Sequence, residues 1–251
     1  MNTERKLEKT RGHWESTGVE SLKDQNLRHL EIQRIVIALQ KHIGSNRTRR
    51  LADFGCGDGY DTIKFSSAAY ETVGFDYSEE MLSRATSRST PAVSFRRLDL
   101  ISGEISESFS AAVSKRFLIN LGDWDLQSKS LTKISRVLEI GSIFCLLECF
   151  HDGLSELNRC RQELGLSNLS EPFHNAYLDL SRTLKSLEKY FEILEISDFS
   201  TYYFLTRCVS ERMTGSDPYQ YDQAMREIAE SSDLLGGQGI GPQKLICLRK
   251  R

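Results

Sequence analysis

Three aspartates and a run of alternating glycines in the first half of the chain could together hold a ligand. Asp53, Asp76 and Asp99 recur every 23 positions, and the segment 55–59 places a glycine at every second residue. Glycine has no Cβ, so a ligand can approach the backbone closely there. Carboxylates accept hydrogen bonds from hydroxyl and amino groups. The pattern therefore predicts a ligand that lies against the glycines and presents such groups to the acids.

The position of each acid suggests a part of that ligand. Asp76 ends a predicted strand, where it could accept hydrogen bonds from both hydroxyls of a ribose and would repel a phosphate. Asp99 could accept from an exocyclic amine such as that of adenine, and Asp53 could lie near a cationic amino group. We therefore expect adenosine with a positively charged amino-acid tail and no diphosphate.

An alternation of apolar strands and amphipathic helices must position these acids. The predicted strands are 51–54, 71–76, 92–98, 109–114 and 142–149. The predicted helices between them are 60–70, 78–88 and 124–138. Such an alternation indicates an α/β, doubly wound, mostly parallel sheet. Because one strand–helix unit separates successive acids, all three are expected at the C-terminal edge of the sheet, where ligands bind in this architecture.

The flanking segments are less regular. Residues 1–17 are polar, and we expect them to order only on ligand binding, whereas 19–43 has the pattern of a helix. In the second half the predicted helices are 153–164, 176–190 and 221–229, and the predicted strands are 191–196 and 243–250. The apolar, aromatic segment 202–209 fits a helix or a strand. No composition change marks a domain boundary, so a single domain over 1–251 is expected.

Composition excludes several classes of function. The net charge of -2 and the short, scattered basic clusters give no surface for gripping nucleic acid or an anionic membrane. Six cysteines form no C-x-x-C pair, which leaves a zinc site without support, so no metal is expected. Apolar surroundings for several cysteines, and an N-terminus without an apolar run, predict a cytoplasmic protein.

Four segments together resemble the class I S-adenosylmethionine-dependent methyltransferases. Leu51–Gly59 (Leu-Ala-Asp-Phe-Gly-Cys-Gly-Asp-Gly) looks like their motif I, and Val73–Leu82 is similar to their ribose-binding segment. Leu98-Asp99-Leu100 resembles their adenine contact. Val137–Ser142 resembles their "VLKPGG" turn, although Glu-Ile replaces Lys-Pro and Ser replaces the second Gly. The resemblance covers roughly residues 48–150.

This resemblance implies S-adenosylmethionine as the cofactor and a seven-stranded sheet with an antiparallel last strand. It also implies an N-terminal helical cap (1–47), a cofactor-binding core (48–150), substrate-side helices with strand six (151–240) and the last strand (241–251). Trp14 is expected to close over the methionine end of the cofactor, unless the N-terminus is a disordered tail. The cofactor-binding residues so implied are Asp53, Gly55, Cys56, Gly57, Asp76, Tyr77, Met81, Asp99, Leu100, Ser114 and Trp14.

Three residues are candidates for catalysis because methyl transfer to an acceptor that carries a proton needs a group that takes up this proton. His174 stands in an unusual Pro-Phe-His-Asn stretch, and its alternative role is a cap or turn residue. His151 could equally be a surface residue that begins a helix. Glu148 lies in an apolar strand, where a carboxylate is costly to bury without a ligand or an arginine partner.

Candidates for substrate binding follow predicted strands four and five. Arg116, with Arg159 and Arg161, could hold an acidic or hydroxylated substrate, or form surface salt bridges. Tyr203 could belong to an aromatic pocket wall or to a core stripe. The residues expected to bind substrate are Arg116, Asn120, Asn175, Tyr177 and Tyr203.

The sequence thus predicts a methyltransferase that acts on an oxygen or nitrogen of a polar small molecule or saccharide. The alternatives are a nucleic-acid methyltransferase and a non-catalytic regulator that binds S-adenosylmethionine. Tyr60 and the acid in strand one argue against a nicotinamide dinucleotide enzyme. No membrane or nucleic-acid partner is expected, and the chain could be a monomer or a homodimer.

Overall fold

Seven strands form one sheet in the part of the chain that our computed structural model describes, residues 3–16, 18, 23–43, 48–215 and 223–251. In chain order the strands are β1 (Thr48–Phe54), β2 (Ala69–Asp76), β3 (Val93–Arg97), β4 (Phe109–Lys115), β5 (Leu138–Cys149), β6 (Phe191–Asp198) and β7 (Gln243–Lys250). Their spatial order is β3-β2-β1-β4-β5-β7-β6.

The strand directions confirm the predicted fold class. β1 to β5 pair in parallel, whereas β7 lies antiparallel between β5 and β6. The main difference from the sequence prediction is at β5, which begins at Leu138 instead of Ser142. Gly141, expected to separate a helix from this strand, instead lies within β5 at φ 83°, beside an irregularity in its pairing with β4.

Helices cover both faces of the sheet and its C-terminal edge. They are α1 (Thr3–Trp14), α2 (Gln25–Ile43), α3 (Tyr60–Phe65), α4 (Glu79–Thr86), α5 (Trp124–Arg136), α6 (His151–Glu163), α7 (Leu180–Leu187), α8 (Ser200–Phe204), α9 (Glu211–Thr214) and α10 (Gln223–Ser231). Residues 3–14, which were expected to order only on ligand binding, form the helix α1 in this structure. Polar contacts with the sheet edge, rather than an apolar stripe, hold this helix.

Other helix predictions differ from the structure at their ends. The helix expected at 60–70 stops at Phe65, and a short 3₁₀ turn leads into β2. The helix expected at 176–190 begins only at Leu180, capped by the Asp179 carboxylate, because Leu178 forms a bridge with Phe150. The segment 202–209 is helical, with a π-helical turn. The predicted starts at Val19 and Tyr221 lie outside the described residues.

Two apolar layers pack on opposite faces of the sheet. Along β5, Cys145 and Leu147 join the layer under α2 and α8, while Phe144 and Leu146 join the layer under α5 and α7. This alternation is what strand geometry requires of a sheet buried on both faces. No helix in the described ranges is both long enough and apolar enough to cross a membrane.

A buried ion pair fixes α2 against the second half of the chain. Asp24 is 2% exposed, and its carboxylate accepts hydrogen bonds from the Tyr202 hydroxyl (2.8 Å) and the Arg207 Nη2 (2.6 Å). The same carboxylate caps α2 by accepting the Leu27 N–H at 2.9 Å. Asp24 therefore sets the position of α2, which carries Arg28 and Glu31 to the sheet edge.

We expect Asp24→Ala to lower the free energy of unfolding by about 3–5 kcal/mol, because it leaves the buried Arg207 cation without its carboxylate. Asp233→Ala is the matched control, since Asp233 is 54% exposed and its contact with Arg34 spans 3.4 Å. That control should cost less than about 1 kcal/mol. Urea unfolding measures both variants, and equal losses would contradict a structural role for the buried pair.

Candidate functional site

An open cavity lies at the C-terminal edge of the sheet, where the loops after β1, β2, β3 and β4 meet. The loop 55–59 forms one wall. Gly57 has φ 53°, and a Cβ built there would meet nothing within 4 Å, so the backbone is open to a ligand. Gly55 has a different constraint: at φ 78°, its Cβ would stand 2.7 Å from the Phe117 Cβ. The loop thus needs glycine once for access and once for packing.

Four of the five N–H groups of the loop 55–59 donate hydrogen bonds within the protein. Those of Gly55 and Cys56 donate to the Phe75 carbonyl, that of Gly59 to the Cys56 carbonyl, and that of Gly57 to the Asp76 carboxylate. A phosphate cradle would instead direct such donors toward its ligand. The loop is therefore suited to a nucleoside without a diphosphate.

Asp76 joins the glycine loop to the end of β2. Its Oδ2 accepts the Gly57 N–H at 2.9 Å and its Oδ1 accepts the Ser78 N–H at 3.0 Å. Burial raises the pKa of Asp76, and these backbone donors oppose that shift. Each oxygen keeps further acceptor capacity, so the carboxylate can bind two neighbouring hydroxyls from a fixed position. Tyr77 and Met81 line the cavity next to it.

Asp99 lines the same half of the cavity, where Arg11 of α1 reaches it. The Arg11 Nη2 lies 2.7 Å from the Asp99 Oδ2, and the Ile101 N–H donates to Oδ1 at 3.1 Å. Burial tends to raise the pKa of Asp99, but the hydrogen bonds outweigh it, so the pKa lies below its ordinary value. The carboxylate is thus charged and able to accept a hydrogen bond from an amine. Leu100 adds an apolar surface beside it.

Helix α1 forms the roof of the cavity. The Trp14 indole N–H donates to the Asn120 side-chain oxygen at 3.1 Å, and the Ser78 hydroxyl donates to the Trp14 carbonyl. The Thr10 hydroxyl donates to the His174 carbonyl at 3.1 Å. The roof is therefore tied to the β2 and β4 loops and to the 171–177 segment at once.

Asp53 and Ser114 were predicted to bind cofactor, but the structure places both beneath the cavity. Asp53 is 2% exposed and accepts a hydrogen bond from the Thr62 hydroxyl at 2.6 Å. Burial raises its pKa to about 7, against the effect of that hydrogen bond. Asp53 thus anchors the start of α3. Ser114 is fully buried in β4. Neither side chain is among those that line the cavity.

A charged wall faces the roof. Arg28 pairs with Asp61 (2.6 Å) and Asp58 (3.1 Å). Lys115 pairs with Glu31 (2.7 Å) and with Asp61 (3.1 Å). Arg116, directly after β4, lines the cavity at φ 56°, a conformation that L residues rarely adopt.

Glu148 lies at the end of β5, fully buried and not in contact with the cavity. Its partners are the backbone N–H groups of Phe117 (3.0 Å), Leu118 (2.8 Å) and Ile119 (3.3 Å), rather than the ligand or arginine expected from sequence. Burial raises the pKa of Glu148 to about 8, although the three donors oppose the shift. Glu148 holds the turn that carries Asn120 into the cavity.

His174 is the predicted catalytic residue that lines the cavity. Its ring stacks on His13 at 4.6 Å, and its buried Nδ1 has no hydrogen-bond partner among the described residues. Burial, together with His13 and Arg116, lowers the pKa of His174 to about 4. The imidazole is therefore neutral near pH 7 and can accept a proton. Asn175 lines the cavity beside it.

The remaining candidates lie outside the cavity. His151 begins α6 and is 58% exposed, 3.9 Å from Glu171. Tyr177 is half-buried near His151. Tyr203 belongs to the apolar layer under α2, and its hydroxyl donates to the Gln243 side chain. For Tyr203 the structure agrees with the core alternative of the sequence analysis.

Sequence reasoning missed several cavity residues. Arg11 and Leu7 come from α1, where no periodicity indicated a structured element, and Arg28 comes from α2. Asp61 follows the glycine loop, and only its pairing with Arg28 and Lys115 gives it significance. Acid–base spacing in the sequence could not have revealed these contacts because they join distant elements.

The cavity has the backbone access, the acceptors and the charged groups that S-adenosylmethionine needs. The open backbone at Gly57 leaves room for a nucleoside. The fixed acceptor at Asp76 and the acceptor at Asp99 match the hydroxyl and amino groups of adenosine. The paired cations and acids of the opposite wall give a polar surface for an amino-acid tail. In this fit Asp76 would hold the ribose and Asp99 the adenine amine.

Comparisons with known proteins agree with this geometry. Residues 51–141 match a methyltransferase domain family. A probable S-adenosylmethionine-dependent methyltransferase of Mycolicibacterium smegmatis is 26% identical over 144 residues, which cover 56% of this chain and 50% of that protein. The chain thus spans about half the length of this curated relative.

Two solved structures share the fold at low sequence identity. The N-methyltransferase NodS of Bradyrhizobium japonicum, in complex with S-adenosyl-L-homocysteine, aligns with a TM-score of 0.56 at 14% identity, covering 100% of this chain and 99% of its own. Magnesium protoporphyrin IX methyltransferase of Synechocystis, with bound cofactor, aligns with a TM-score of 0.61 at 13% identity, covering 98% and 97%.

The sheet order, the glycine loop with its acids and the matched domain lead to one assignment. Residues 51–141 carry a methyltransferase domain, and the sheet order and the cavity agree with S-adenosylmethionine as its cofactor.

Proposed function

We propose that this protein methylates an oxygen or nitrogen of a polar small molecule or saccharide, with His174 as the proton acceptor. When bound, the cofactor supplies an electrophilic methyl group on its sulfonium. The residues of the chain must then orient the acceptor in line with that group, exclude water and take up a proton. Positioning alone can lower such a barrier by about 7–11 kcal/mol.

The observation that carries this proposal is the state of His174. Its imidazole lines the cavity, is neutral near pH 7, and its Nδ1 has no hydrogen-bond partner in the described structure. A neutral imidazole at the cavity can take up a proton, as a general base must, and its lowered pKa makes it a weaker base than an ordinary histidine. His151, by contrast, is exposed, and Glu148 already accepts three backbone N–H groups. We therefore assign neither of those two a part in proton transfer.

The walls of the cavity support a polar acceptor. Asn120, Asn175 and Arg116 line it on the side of β4 and of the 171–177 segment. The roof formed by α1 covers the cavity and favours a small acceptor or a single saccharide unit over a folded polymer. The net charge of -2 also gives no general attraction for nucleic acid.

Acceptor pools can test this class directly. Labelled methyl transfer from S-adenosylmethionine should occur to polar metabolite or saccharide fractions and not to RNA or DNA. Transfer to nucleic acid, with retention on heparin at physiological salt, would contradict the proposal. Cofactor binding without transfer to any pool would instead favour a non-catalytic regulator.

Asp76→Ala should weaken binding of S-adenosylhomocysteine about 100-fold or more. The variant removes two charge-assisted hydrogen bonds to the ribose, each worth about 1.5–3 kcal/mol. Calorimetry measures the affinity, and thermal unfolding verifies that the variant is folded. Glu79→Ala is the matched control, since Glu79 is 69% exposed and close to Asp76 in sequence. Unchanged affinity in Asp76→Ala would remove the ribose assignment.

His174→Gln should lower kcat by about 10²–10⁴-fold, the usual contribution of a general base. Affinity for S-adenosylhomocysteine should change less than about threefold, because His174 is not assigned a cofactor contact. His151→Gln is the control, and its kcat should stay near that of the wild type. Single-turnover rates and calorimetry provide the two readouts. Equal losses of rate and affinity would give His174 a structural role instead.

A further inference from the structure

We propose that the methyl acceptor carries an oxyanion, a carboxylate or phosphate group, and that Arg116 binds it. This inference rests on the proposed function and specifies its substrate class. The residue is held by its main chain: the Arg116 N–H donates to the Leu147 carbonyl at 2.8 Å, and the Arg116 carbonyl accepts from the Asn120 side chain at 2.8 Å. These bonds fix the backbone at its positive φ and leave the side chain on the cavity wall.

The guanidinium of Arg116 differs from the other cations of the cavity. Arg11, Arg28 and Lys115 each pair with a carboxylate at 3.1 Å or less. The Arg116 Nε and Nη1 are buried, and neither has a hydrogen-bond partner among the described residues. Buried polar groups in native proteins are nearly always hydrogen-bonded, and a buried cation without partners is costly. A ligand group that accepts these donors would satisfy the site.

Glu31 offsets part of the positive charge of Arg116 but does not come close enough to accept a hydrogen bond from its guanidinium. Burial lowers the pKa of Arg116, but the influence of Glu31 and other groups outweighs it and raises that pKa. No carboxylate of the described residues comes within 4.0 Å of the guanidinium, and the Glu31 Oε2 is already bound to Lys115. The guanidinium therefore stays charged, with its planar donors available. Carboxylates and phosphates match such donors two at a time.

The place of Arg116 in the sheet favours the acceptor as the source of the anion. Asp76 and Asp99 follow β2 and β3 on one side of β1, whereas Arg116 follows β4 on the other side. Its electrostatic neighbours include Glu31, Cys149 and His174, and of these His174 lines the cavity on the side proposed for the acceptor. The carboxylate of the cofactor is the other possible source, and affinity measurements separate the two.

The other two arginines considered from sequence do not compete for this role. Arg159 is exposed and pairs with Glu156 and Glu163 along α6. Arg161 is buried, but Glu211 and the Ser167 carbonyl bind its guanidinium, and it does not line the cavity. The anion site is thus assigned to Arg116.

The first experiment detects the anion site without a known acceptor. Protein saturated with S-adenosylhomocysteine is titrated with inorganic phosphate and with acetate, while NMR follows the arginine Nε–H signals. Wild type and the control Arg159→Gln should show a saturable shift. Arg116→Asn, which suits a positive φ, should bind at least tenfold more weakly. Equal binding in Arg116→Asn, or no saturable binding in the wild type, would overturn the site.

The second experiment assigns the source of the anion. Arg116→Asn should keep its affinity for S-adenosylhomocysteine within about threefold of the wild type. A loss of tenfold or more would assign the guanidinium to the cofactor carboxylate and overturn the acceptor role. Normal affinity also shows that the variant is folded.

The third experiment compares hydroxy acids, amino acids and sugar acids with their methyl esters as acceptors of labelled methyl groups. In the wild type, kcat/KM for the acids should exceed that for the esters at least 100-fold, and Arg116→Asn should reduce this ratio more than tenfold. Equal transfer to esters would overturn the inference. If neither set is methylated while the anion still binds in the first experiment, the proposed reaction fails and the anion site stands.

Discussion

Buried carboxylates that bind backbone N–H groups hold the functional edge of this molecule together. Loops at the end of a parallel sheet have N–H groups that no neighbouring strand can satisfy. Asp76 accepts two of them and so fixes the glycine loop against the end of β2. Glu148 accepts three and fixes the turn after β4. Gly57 and the turn that carries Asn120 therefore depend on these two carboxylates for their positions at the cavity.

These two carboxylates also show that similar chemistry can serve different ends. Asp76 lies at the cavity surface, so its remaining acceptor capacity can reach a ligand. Glu148 lies beneath the surface, where its lone pairs are used by the turn it supports. The two carboxylates differ in how far they lie below the cavity surface, whereas burial raises the pKa of both. A strongly shifted pKa is therefore found in a residue that holds the backbone in place as well as in a reactive residue.

The charges of the cavity are distributed unevenly between its two halves. On the nucleoside side, Asp76 and Asp99 provide acceptors, and α1 brings Arg11 to Asp99. On the opposite side, Arg28 and Lys115 pair with Asp58, Asp61 and Glu31, whereas Arg116 forms no ion pair with any residue that the structure describes. Such a division suits a cofactor that presents its hydroxyl and amino groups to one wall and its amino-acid tail to the paired ions of the other, and an acceptor that brings an anion to Arg116. The neutral His174 lies on that second side, under the roof.

The sequence alone determined the sheet, most of its helices and the place of Asp76 and Asp99 at the C-terminal edge of the sheet. Hydrophobic periodicity locates strands and helices, and parallel topology brings the ends of successive strands to one edge, so Asp76 and Asp99 could be placed from their spacing. Only the tertiary structure decided how α1 closes the cavity and which of Glu148, His151 and His174 reaches it. It also decided that the Arg116 Nε and Nη1 have no hydrogen-bond partner in the described part of the chain. Those outcomes depend on contacts between residues far apart in the chain and on burial depth, neither of which local periodicity encodes.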